Sequence, residues 1–353
     1  MACDQNVVSE WNLLVRFLMG TQAHGRGISR AGPFPISTVY GVVTILKAPT
    51  LRRGEEKIVF MATVLLSLVA AVLLAHLPAP SLAWGTEGHY ATCALAQKLF
   101  SKETQQAVQA LLPEDAEGNL ASLCSWPDAM RFRYKWSSAL HFIDTPDFSC
   151  NYNYDRDCHD SQGIKGRCAA GAINNYTSQL TTFFSDSQHY NLTEALLFLA
   201  HIVGDIHQPL HVGFTSDLGG NTIKVHWYCR IFNLHHIWDD EIISTANKRF
   251  YDDSITSLVD DIGKNITAGH WNDEIVKWAN CTNGDLACPD TYAAESISLA
   301  CKWAYRNATP GAYLADDYFL TRMPIVEMRL AQGGVRLAAI LNRIFGQGQV
   351  QTF

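Results

Sequence analysis

The segment from residue 193 to residue 207 restricts the fold of this chain most, because it is apolar on nearly every side. It reads Thr-Glu-Ala-Leu-Leu-Phe-Leu-Ala-His-Ile-Val-Gly-Asp-Ile-His. A helix that is apolar all round is expected to run through the core of a protein. His201 and Asp205 stand four residues apart in it, which places an imidazole and a carboxylate on one face, within reach of a common cation. Because unpartnered buried charges are costly, these two groups require a partner.

Two more His/Asp pairs lie further along the chain. His235 stands four residues before Asp239, and His236 stands four residues before Asp240. On a helix the two pairs are rotated by about 100° from each other, so they cannot both face one site. Any single pair of this kind is also explained by an ion pair, either buried or on the helix surface. Other candidate ligands are needed before a metal site is the better interpretation.

An apolar run after Met61 is typical of a secretory signal peptide. It covers residues 62–75, and a small-residue cleavage pattern follows at residues 81–83. A membrane-spanning helix is the alternative, but the apolar core is shorter than the ~20 residues that a span requires. We therefore expect cleavage before Trp84 and entry into the secretory pathway, towards the outside or a vacuolar or ER-derived compartment. No stable membrane association is expected after cleavage.

Residues 1–60 carry no repeat, no amphipathic period and no chemistry. We expect an upstream extension that is not part of the mature protein, with a transit peptide as the alternative, and residues 61–83 as the signal peptide. Residues 84–353 suffice for one domain with a sizeable core. Removing residues 1–83 takes away seven Lys or Arg and four Asp or Glu, which lowers the net charge from −7 to −10. A phosphate-bearing partner would then have to be held by something other than a broad basic face, such as bound cations.

The cysteines and glycosylation sequons after residue 83 agree with export. In a secreted chain most cysteines form disulfides, and we predict this of eight of the nine. These eight are Cys93, Cys124, Cys150, Cys158, Cys168, Cys281, Cys288 and Cys301. The odd total leaves one thiol free or paired between molecules, and Cys229 in the apolar segment 225–229 is the candidate. The glycosylation sequons begin at Asn175, Asn191, Asn265, Asn280 and Asn307.

The remaining pattern predicts a mostly helical chain. Apolar residues recur at helical spacing in segments 91–112, 171–184, 296–306 and 325–345. Residues 221–228, which follow two glycines, instead alternate as a short hairpin or strand does. No Pro/Gly-rich linker divides the chain after residue 83. We therefore predict the all-α class, with a single mostly helical domain, a short β-hairpin and a loose tail at 346–353.

Further histidine and aspartate residues make a pure ion-pair explanation poor. They are His89, Asp128, His141 and His211. Gln208-Pro209 breaks the apolar helix, and the chain then turns back and brings His211 close to His201 and Asp205. With the cysteines committed to disulfides, imidazole and carboxylate ligands favour zinc first and manganese or iron next, whereas calcium prefers oxygen. The candidates exceed what one tetrahedral zinc accepts, so more than one ion is expected. Clustered zinc is the arrangement used for phosphate-ester hydrolysis.

Taken together, these motifs resemble those of the zinc-dependent type I single-strand nucleases, which include plant members that act as both endonucleases and 3′-nucleotidases. In chain order they are Trp84-Gly-x3-His89, Trp126-Pro-Asp128-x2-Arg131, His141-Phe142-Ile143-Asp144, His201-Ile-Val-Gly-Asp205-x-His-Gln-Pro-Leu-His211, Gly219-Gly-Asn and Asn233-Leu-His235-x2-Trp-Asp239. The resemblance covers the chain from residue 84 onward. It implies an all-α fold related to zinc-dependent phospholipase C.

The resemblance further implies three zinc ions per chain, which spacing alone does not assign. One ion would be held by Asp128, His141, His201 and Asp205; a second by His211, His235 and Asp239; and a third by the amine and carbonyl of Trp84, His89 and the shared Asp205. The α-amine of Trp84 exists only after the leader is cut. We therefore expect the uncleaved precursor to be deficient in activity.

The function implied is that of a secreted endonuclease, which hydrolyses RNA and single-stranded DNA to 5′-phosphate products and also acts as a 3′-nucleotidase. Asp128 would orient the attacking water, and Arg131 would neutralise charge on the phosphoryl and leaving oxygens, with a structural ion pair as the alternative for Arg131. Phe142 would stack a base, Asp144 would hydrogen-bond its edge, and Asn221 would bind substrate. Stacking requires an unstacked base, so single strands are favoured. Without the resemblance, Phe142 would be assigned to the core.

The expected partners are single-stranded DNA, RNA and 3′-nucleotides, and the expected state is a monomer. Two other functions stay open at this point. One is a zinc-dependent phospholipase C, and the other is a non-enzymatic, secreted zinc-binding glycoprotein. Phe142 and Asp144 favour the nuclease, since neither alternative needs a base pocket. We assign His207, His226 and His236 to structural or supporting roles.

Overall fold

The computed structural model describes residues 84–185, 189–281 and 284–346. The predicted upstream extension, the predicted signal peptide and the predicted tail beyond residue 346 lie outside the described residues. Among the helices that are described, none is long and apolar enough to cross a membrane.

Helices make up most of the described chain, which confirms the predicted all-α class. The α-helices are α1 Thr86–Lys98, α2 Lys102–Leu111, α3 Leu120–Leu123, α4 Trp126–Met130, α5 Tyr154–Asp157, α6 Ala169–Leu180, α7 Leu192–His207, α8 Leu234–His236, α9 Ile242–Phe250, α10 Ile255–Thr267, α11 Ile275–Ala279, α12 Pro289–Leu299 and α13 Asp316–Phe345. Short 3₁₀ turns cover Glu114–Ala116, Lys135–His141, Thr181–Phe184, Pro209–Val212 and Asn272–Glu274. Two π-helical turns cover Ile237–Glu241 and Ala300–Ala304. The strands are β1 Lys224–Trp227, β2 Arg230–Asn233 and β3 Tyr313–Leu314.

The hairpin predicted from the alternating pattern is present, and a third strand extends it. β1 pairs antiparallel with β2, where His226 lies opposite Ile231. β1 also pairs parallel with β3, where His226 lies opposite Tyr313, so the strand order is β2-β1-β3. β3 has only two residues and pairs with a strand far away in the chain. No local pattern could therefore have indicated it.

Helix α7 is the centre of the domain, as its apolar sequence predicts. α1, α6 and α13 pack against it, and every residue from Ala195 to His207 is buried. The helix begins after Asn191, whose side-chain oxygen accepts a hydrogen bond from the Glu194 backbone N–H at 3.2 Å. It ends before Pro209, which cannot donate the next helical hydrogen bond. The His/Asp pair of this helix is thus held in the interior.

The predicted helix over 91–112 is wrong, because two helices, α1 and α2, replace it. The Ser101 side chain accepts a hydrogen bond from the Thr104 backbone N–H at 3.1 Å and so begins α2. Asn342 of α13 accepts from the Ser101 N–H and donates to the Leu99 carbonyl, at 2.9 and 3.0 Å. This long-range amide satisfies the backbone groups that a break exposes. Helices α6, α12 and α13 all begin earlier than predicted.

The eight cysteines predicted to form disulfides are joined in four pairs. These are Cys93–Cys124, Cys150–Cys301, Cys158–Cys168 and Cys281–Cys288. The expectation that Cys229 is the odd thiol is wrong, since Cys229 is also disulfide-bonded. Four of the sequon asparagines are exposed and Asn265 is partly buried.

Helix α13 buries two arginines against α12 and the end of α7. Arg329 donates to the His207 carbonyl at 3.0 Å and to Glu295 at 2.7 Å. Arg336 donates to Glu295 at 2.6 Å and to His207 Nε2 at 2.9 Å. Each buried cation therefore meets a carboxylate and a further acceptor. We call these four residues the arginine network.

Candidate metal centre

Three groups of histidine and aspartate side chains converge on the C-terminal half of α7. Within each group, the candidate ligand atoms all lie within 4.8 Å of one another. The groups are His89, His201 and Asp205; Asp128, His141 and His201; and His211, His235 and Asp239. All of these residues are buried. Every side chain predicted to hold zinc belongs to one of the groups, although they come from seven helices and turns.

Helical spacing accounts for only two of the contacts. His201 Nε2 lies 3.3 Å from Asp205 Oδ2 along α7. His235 Nε2 lies 3.4 Å from Asp239 Oδ2, where α8 passes into the π-helical turn. The other approaches join distant segments, as where the 3₁₀ turn before Phe142 brings His141 Nδ1 to 3.0 Å from Asp205.

Asp205 links the three groups. Its Oδ1 lies 3.2 Å from His89 Nε2 and 3.8 Å from His211 Nδ1, and its Oδ2 contacts His141 and His201. Burial alone would raise the pKa of Asp205, but the charge of His201 and hydrogen bonds from His141 and His201 hold that pKa well below its usual range. A carboxylate that stays ionised at this depth is suited to bridging cations.

Backbone carbonyls orient three of the histidines. The Nδ1 atoms of His201, His211 and His235 lie 2.8, 2.7 and 2.6 Å from the carbonyl oxygens of Cys124, His141 and Gly219, respectively. A carbonyl only accepts hydrogen bonds, so each Nδ1 must donate. In the neutral ring the lone pair is then on Nε2, which points into the centre. This arrangement of an outer acceptor behind a ligating imidazole is typical of metal-bound histidines.

The inward-facing nitrogen and oxygen atoms do not satisfy one another's hydrogen bonds. His211 Nε2 and His235 Nε2 lie only 3.1 Å apart, so two lone pairs would meet with no hydrogen between them. Buried side-chain atoms without a hydrogen-bond partner are concentrated here as well, and include His89 Nε2, Asp128 Oδ1 and Asp205 Oδ1. Buried polar atoms are normally paired, so these require a positive partner. Nitrogen and carboxylate donors at such spacing fit zinc.

A glycine and a tryptophan shape the first group. His89 stacks on His201 with ring centroids 3.8 Å apart. A Cβ atom at Gly204 would come within 2.8 Å of His89 Nδ1, so glycine lets α1 approach α7 this closely. Trp84 is fully buried, and the next N–H, that of Gly85, donates to the Asp239 carbonyl at 3.0 Å. The predicted mature terminus therefore lies beside the third group.

Arg131 stands at the end of α4, next to the second group. Its Nη1 atom lies 3.7 Å from Asp128 Oδ1, and its side chain is partly exposed. The guanidinium thus reaches both a buried carboxylate and solvent, and this geometry is compatible with either of its predicted roles.

Phe142 and Asp144 lie on the open side of an extended segment. Their neighbours Ile143 and Thr145 are buried, and the Ile143 N–H donates to the His211 carbonyl at 2.8 Å. Because side chains alternate in extended backbone, Phe142 and Asp144 share the opposite face. Phe142 is 37% exposed, so it is not the core residue that its type alone suggests. Burial raises the pKa of Asp144 to about 6.

Asn221 is engaged within its own loop. Its amide donates to the Leu218 carbonyl at 2.8 Å, and its oxygen lies 3.4 Å from Asn233 Nδ2. Asn233 in turn accepts from the His236 N–H at 2.6 Å and so caps α8, which carries His235. Asn221 thus contacts the residue that caps the helix carrying His235, and its predicted contact with substrate stays a prediction.

The pair His236 and Asp240 lies outside the three groups. His236 Nδ1 is 3.1 Å from Asp240 Oδ2, and both side chains are partly exposed. Hydrogen bonds that the His236 ring donates to Asp240 and Glu241 raise the pKa of His236 to about 9. The sequence predicted that the two His/Asp pairs cannot both face one site, and only the pair His235 and Asp239 faces the metal centre.

The family model of the S1/P1 nucleases matches residues 84–346. The chain belongs to the S1/P1 nuclease family. Endonuclease 2 of Arabidopsis thaliana is 57% identical over 266 residues, covering 74% of this chain and 91% of that protein. Endonuclease 4 of the same plant is 54% identical over 279 residues, covering 78% of this chain and 93% of that protein. Nuclease S1 of Aspergillus oryzae is 33% identical over 280 residues, covering 75% and 92%.

Membership in the S1/P1 nucleases makes this chain a hydrolase of the nuclease class. It confirms the resemblance drawn from the motifs, and it favours neither a phospholipase C nor a non-enzymatic glycoprotein. The three buried His/Asp groups fit the metal dependence expected of such a nuclease.

Sequence patterns missed the groups that orient the ligands. Gln208 is fully buried, and its amide donates to Asp239 Oδ1 at 2.6 Å while its oxygen accepts from the Leu210 N–H. Its place directly after α7 suggested only a helix end. The carbonyls of Cys124 and Gly219 carry no side-chain signal at all. The glutamine three residues before the candidate ligand His211 was the one available hint.

Proposed function

We propose that this S1/P1 nuclease is a zinc-dependent endonuclease that hydrolyses RNA and single-stranded DNA to 5′-phosphate products and also removes phosphate from 3′-nucleotides. Three zinc ions would be held by the three His/Asp groups. The ion at the group that contains His89 would be bound by His89, by the shared Asp205, and by the amine and carbonyl of Trp84. The observation that carries this proposal is the set of buried imidazole and carboxylate atoms in the centre that lack a hydrogen-bond partner, namely His89 Nε2, His141 Nε2, Asp128 Oδ1 and Asp205 Oδ1.

The residues around the centre have separate roles in this proposal. Bound zinc would supply positive charge to the phosphoryl group and make water a nucleophile at neutral pH. Asp128 orients the attacking water, and Arg131 neutralises charge on the phosphoryl oxygens from the solvent side. Phe142 stacks a base while Asp144 hydrogen-bonds its edge. Such a pocket accepts single strands, since a paired base cannot reach the ring.

Export is part of the proposal, because the Trp84 amine appears only on cleavage before that residue. A secretory route also suits the disulfides and the exposed sequon asparagines. The mature enzyme would act as a monomer, with glycans at the five sequons and no membrane anchor.

The test is metal analysis and N-terminal sequencing of the active secreted protein. We expect three zinc ions per chain, a terminus at Trp84, and EDTA-sensitive release of 5′-mononucleotides from single-stranded DNA and RNA. A chain of residues 84–353 with one extra alanine in front is the matched control, and it should be deficient. Full activity of that control, or fewer than three zinc ions in an active enzyme, would contradict the site. Cleavage of phosphatidylcholine with nucleic acids left intact would contradict the substrate.

A further inference from the structure

Phe148 is the most exposed of the large apolar side chains in the described residues, at 89%. Its ring lies near that of Phe214, with centroids 5.8 Å apart and the ring planes tilted by 48°. Phe214 in turn stacks on Tyr305 at 4.5 Å, with the two ring planes only 7° apart. Phe148 is therefore the exposed end of a row of three aromatic rings, of which Phe214 is buried and Tyr305 is partly buried. Its outer face meets solvent.

The backbone at Phe148 is unfavourable for phenylalanine. Its φ angle is +61°, in the left-handed region. The Ser149 N–H donates to the Pro146 carbonyl at 3.0 Å, so Phe148 is the third residue of a tight turn. Turns with positive φ at this position normally use glycine. A bulky residue held there costs of order 1–3 kcal/mol, and such strain is concentrated at functional sites.

The turn is held rigidly next to the base pocket. The Ser216 N–H donates to Asp147 Oδ1 at 3.0 Å, and the Thr215 N–H donates to the Thr145 carbonyl at 2.9 Å. The disulfide of Cys150 fixes the other end of the turn. These contacts fix the position of the backbone that carries the ring.

The position along the chain relates this ring to the metal centre. Phe148 follows Asp144 by four residues, a separation of at most ~14 Å in extended backbone. Phe214, beneath it, follows the candidate ligand His211 by three residues. The ring thus lies on the same pair of segments as the pocket proposed for one base. Asp147 and Asp217 nearby make a phosphate contact unfavourable here, whereas an uncharged base face is suited to stacking.

We propose that Phe148 is a second base-stacking platform, which binds a neighbouring base of a single-stranded polynucleotide while another base occupies the Phe142/Asp144 pocket. This rests on the proposed nuclease function and extends it from one nucleotide to the strand. Phe148 contributes to binding of oligonucleotides and not to binding of mononucleotides.

The test compares two ligand sizes on the zinc-loaded enzyme. Phe148→Gly removes the ring and suits the left-handed backbone, so the turn should persist. We expect the KM for a single-stranded deoxyoligonucleotide to rise about five-fold or more, because stacking one base is worth ~1–3 kcal/mol. The inhibition constant of a mononucleotide should stay unchanged. Phe148→Trp keeps an aromatic ring at this position, so its oligonucleotide KM should equal that of the wild-type enzyme.

Phe184→Gly is the matched control, since Phe184 is another exposed phenylalanine, on the 3₁₀ turn that follows α6. It should change neither constant. An unchanged oligonucleotide KM in Phe148→Gly would overturn the platform, and so would an equal rise in the mononucleotide constant. A wild-type enzyme that cleaves no single strands would instead refute the proposed function itself.

Discussion

The metal centre and the arginine network bury charge on two sides of the C-terminal end of the same helix, α7, but they differ in how those charges are paired. In the network, Glu295 faces both guanidinium groups, and His207 accepts from both, through its carbonyl oxygen and its Nε2. In the centre, two imidazole nitrogens face each other and carboxylate oxygens lack partners. Burial of charge alone therefore does not indicate a ligand site. An incomplete set of partners does.

The largest effect is expected for Asp205→Asn, which would break the centre and leave the network intact. Activity on single-stranded DNA should fall more than about 100-fold, since loss of outer partners of a metal site already costs about 10–100-fold. Zinc content per folded chain should fall with it. Asp240→Asn, a carboxylate paired with a histidine outside the three groups, is the control and should retain both. Normal rates in Asp205→Asn would contradict the assignment of the centre.

Arg329→Met should have the opposite pattern. Breaking a buried ion pair by removing one partner typically costs about 3 kcal/mol or more, which corresponds to a fall in Tm of roughly 6–12 °C for a domain of this size. The folded variant should keep its zinc, because no group of the metal centre is removed. Arg249→Met, at a partly exposed pair with Asp316, should change Tm little. If Arg329→Met lost zinc but kept its stability, the claim that the arginine network serves stability and the metal centre serves zinc binding would be wrong.

Gln208→Met tests the boundary of the centre, since this side chain touches Asp239 but no substrate. We expect zinc affinity to fall about 10–100-fold with the fold retained. Competition with a chromophoric chelator measures this directly, and circular dichroism monitors folding. Unchanged affinity would mean that Asp239 does not depend on this hydrogen bond.

The smallest effect concerns Asp144, whose pKa burial raises to about 6. The folded chain then binds more protons at this carboxyl than the unfolded chain between the usual carboxyl pKa and 6, so its contribution to stability falls as pH rises through that window. Asp144→Asn should be slightly more stable than wild type at pH 7, and the difference in Tm should shrink as the pH falls below about 6. If the difference in Tm between Asp144→Asn and wild type grew as the pH fell, the pKa of Asp144 would not be raised by folding. Comparing the two chains at each pH cancels any loss of metal, which affects both.

Much of the site followed from residue types and spacing. The apolar run of α7 predicted a buried helix, and the spacing of His201 and Asp205 predicted their shared face. The hairpin before His235 also followed from alternation. By contrast, spacing could not bring His141 or His89 to Asp205, because they meet it across segments that pack only in the folded chain.

Prediction failed where long-range contacts override local pattern. The break between α1 and α2 depends on Asn342, hundreds of residues away, and β3 exists only because β1 offers it an edge. The exposure of Phe148 was likewise not visible in the sequence, and that of Phe142 followed only from the family resemblance, since phenylalanine is usually buried.

By itself, the sequence determined the helical class, the buried course of α7, and the imidazole and carboxylate chemistry of the centre. These depend on periodicity and residue type, which are local properties of the chain. Only the tertiary structure decided that Asp205 would be shared, that backbone carbonyls would turn three Nε2 atoms inward, and that the arginines would satisfy their own charges. Those outcomes depend on how distant segments pack, because the partner of a buried polar group is set by what lies against it.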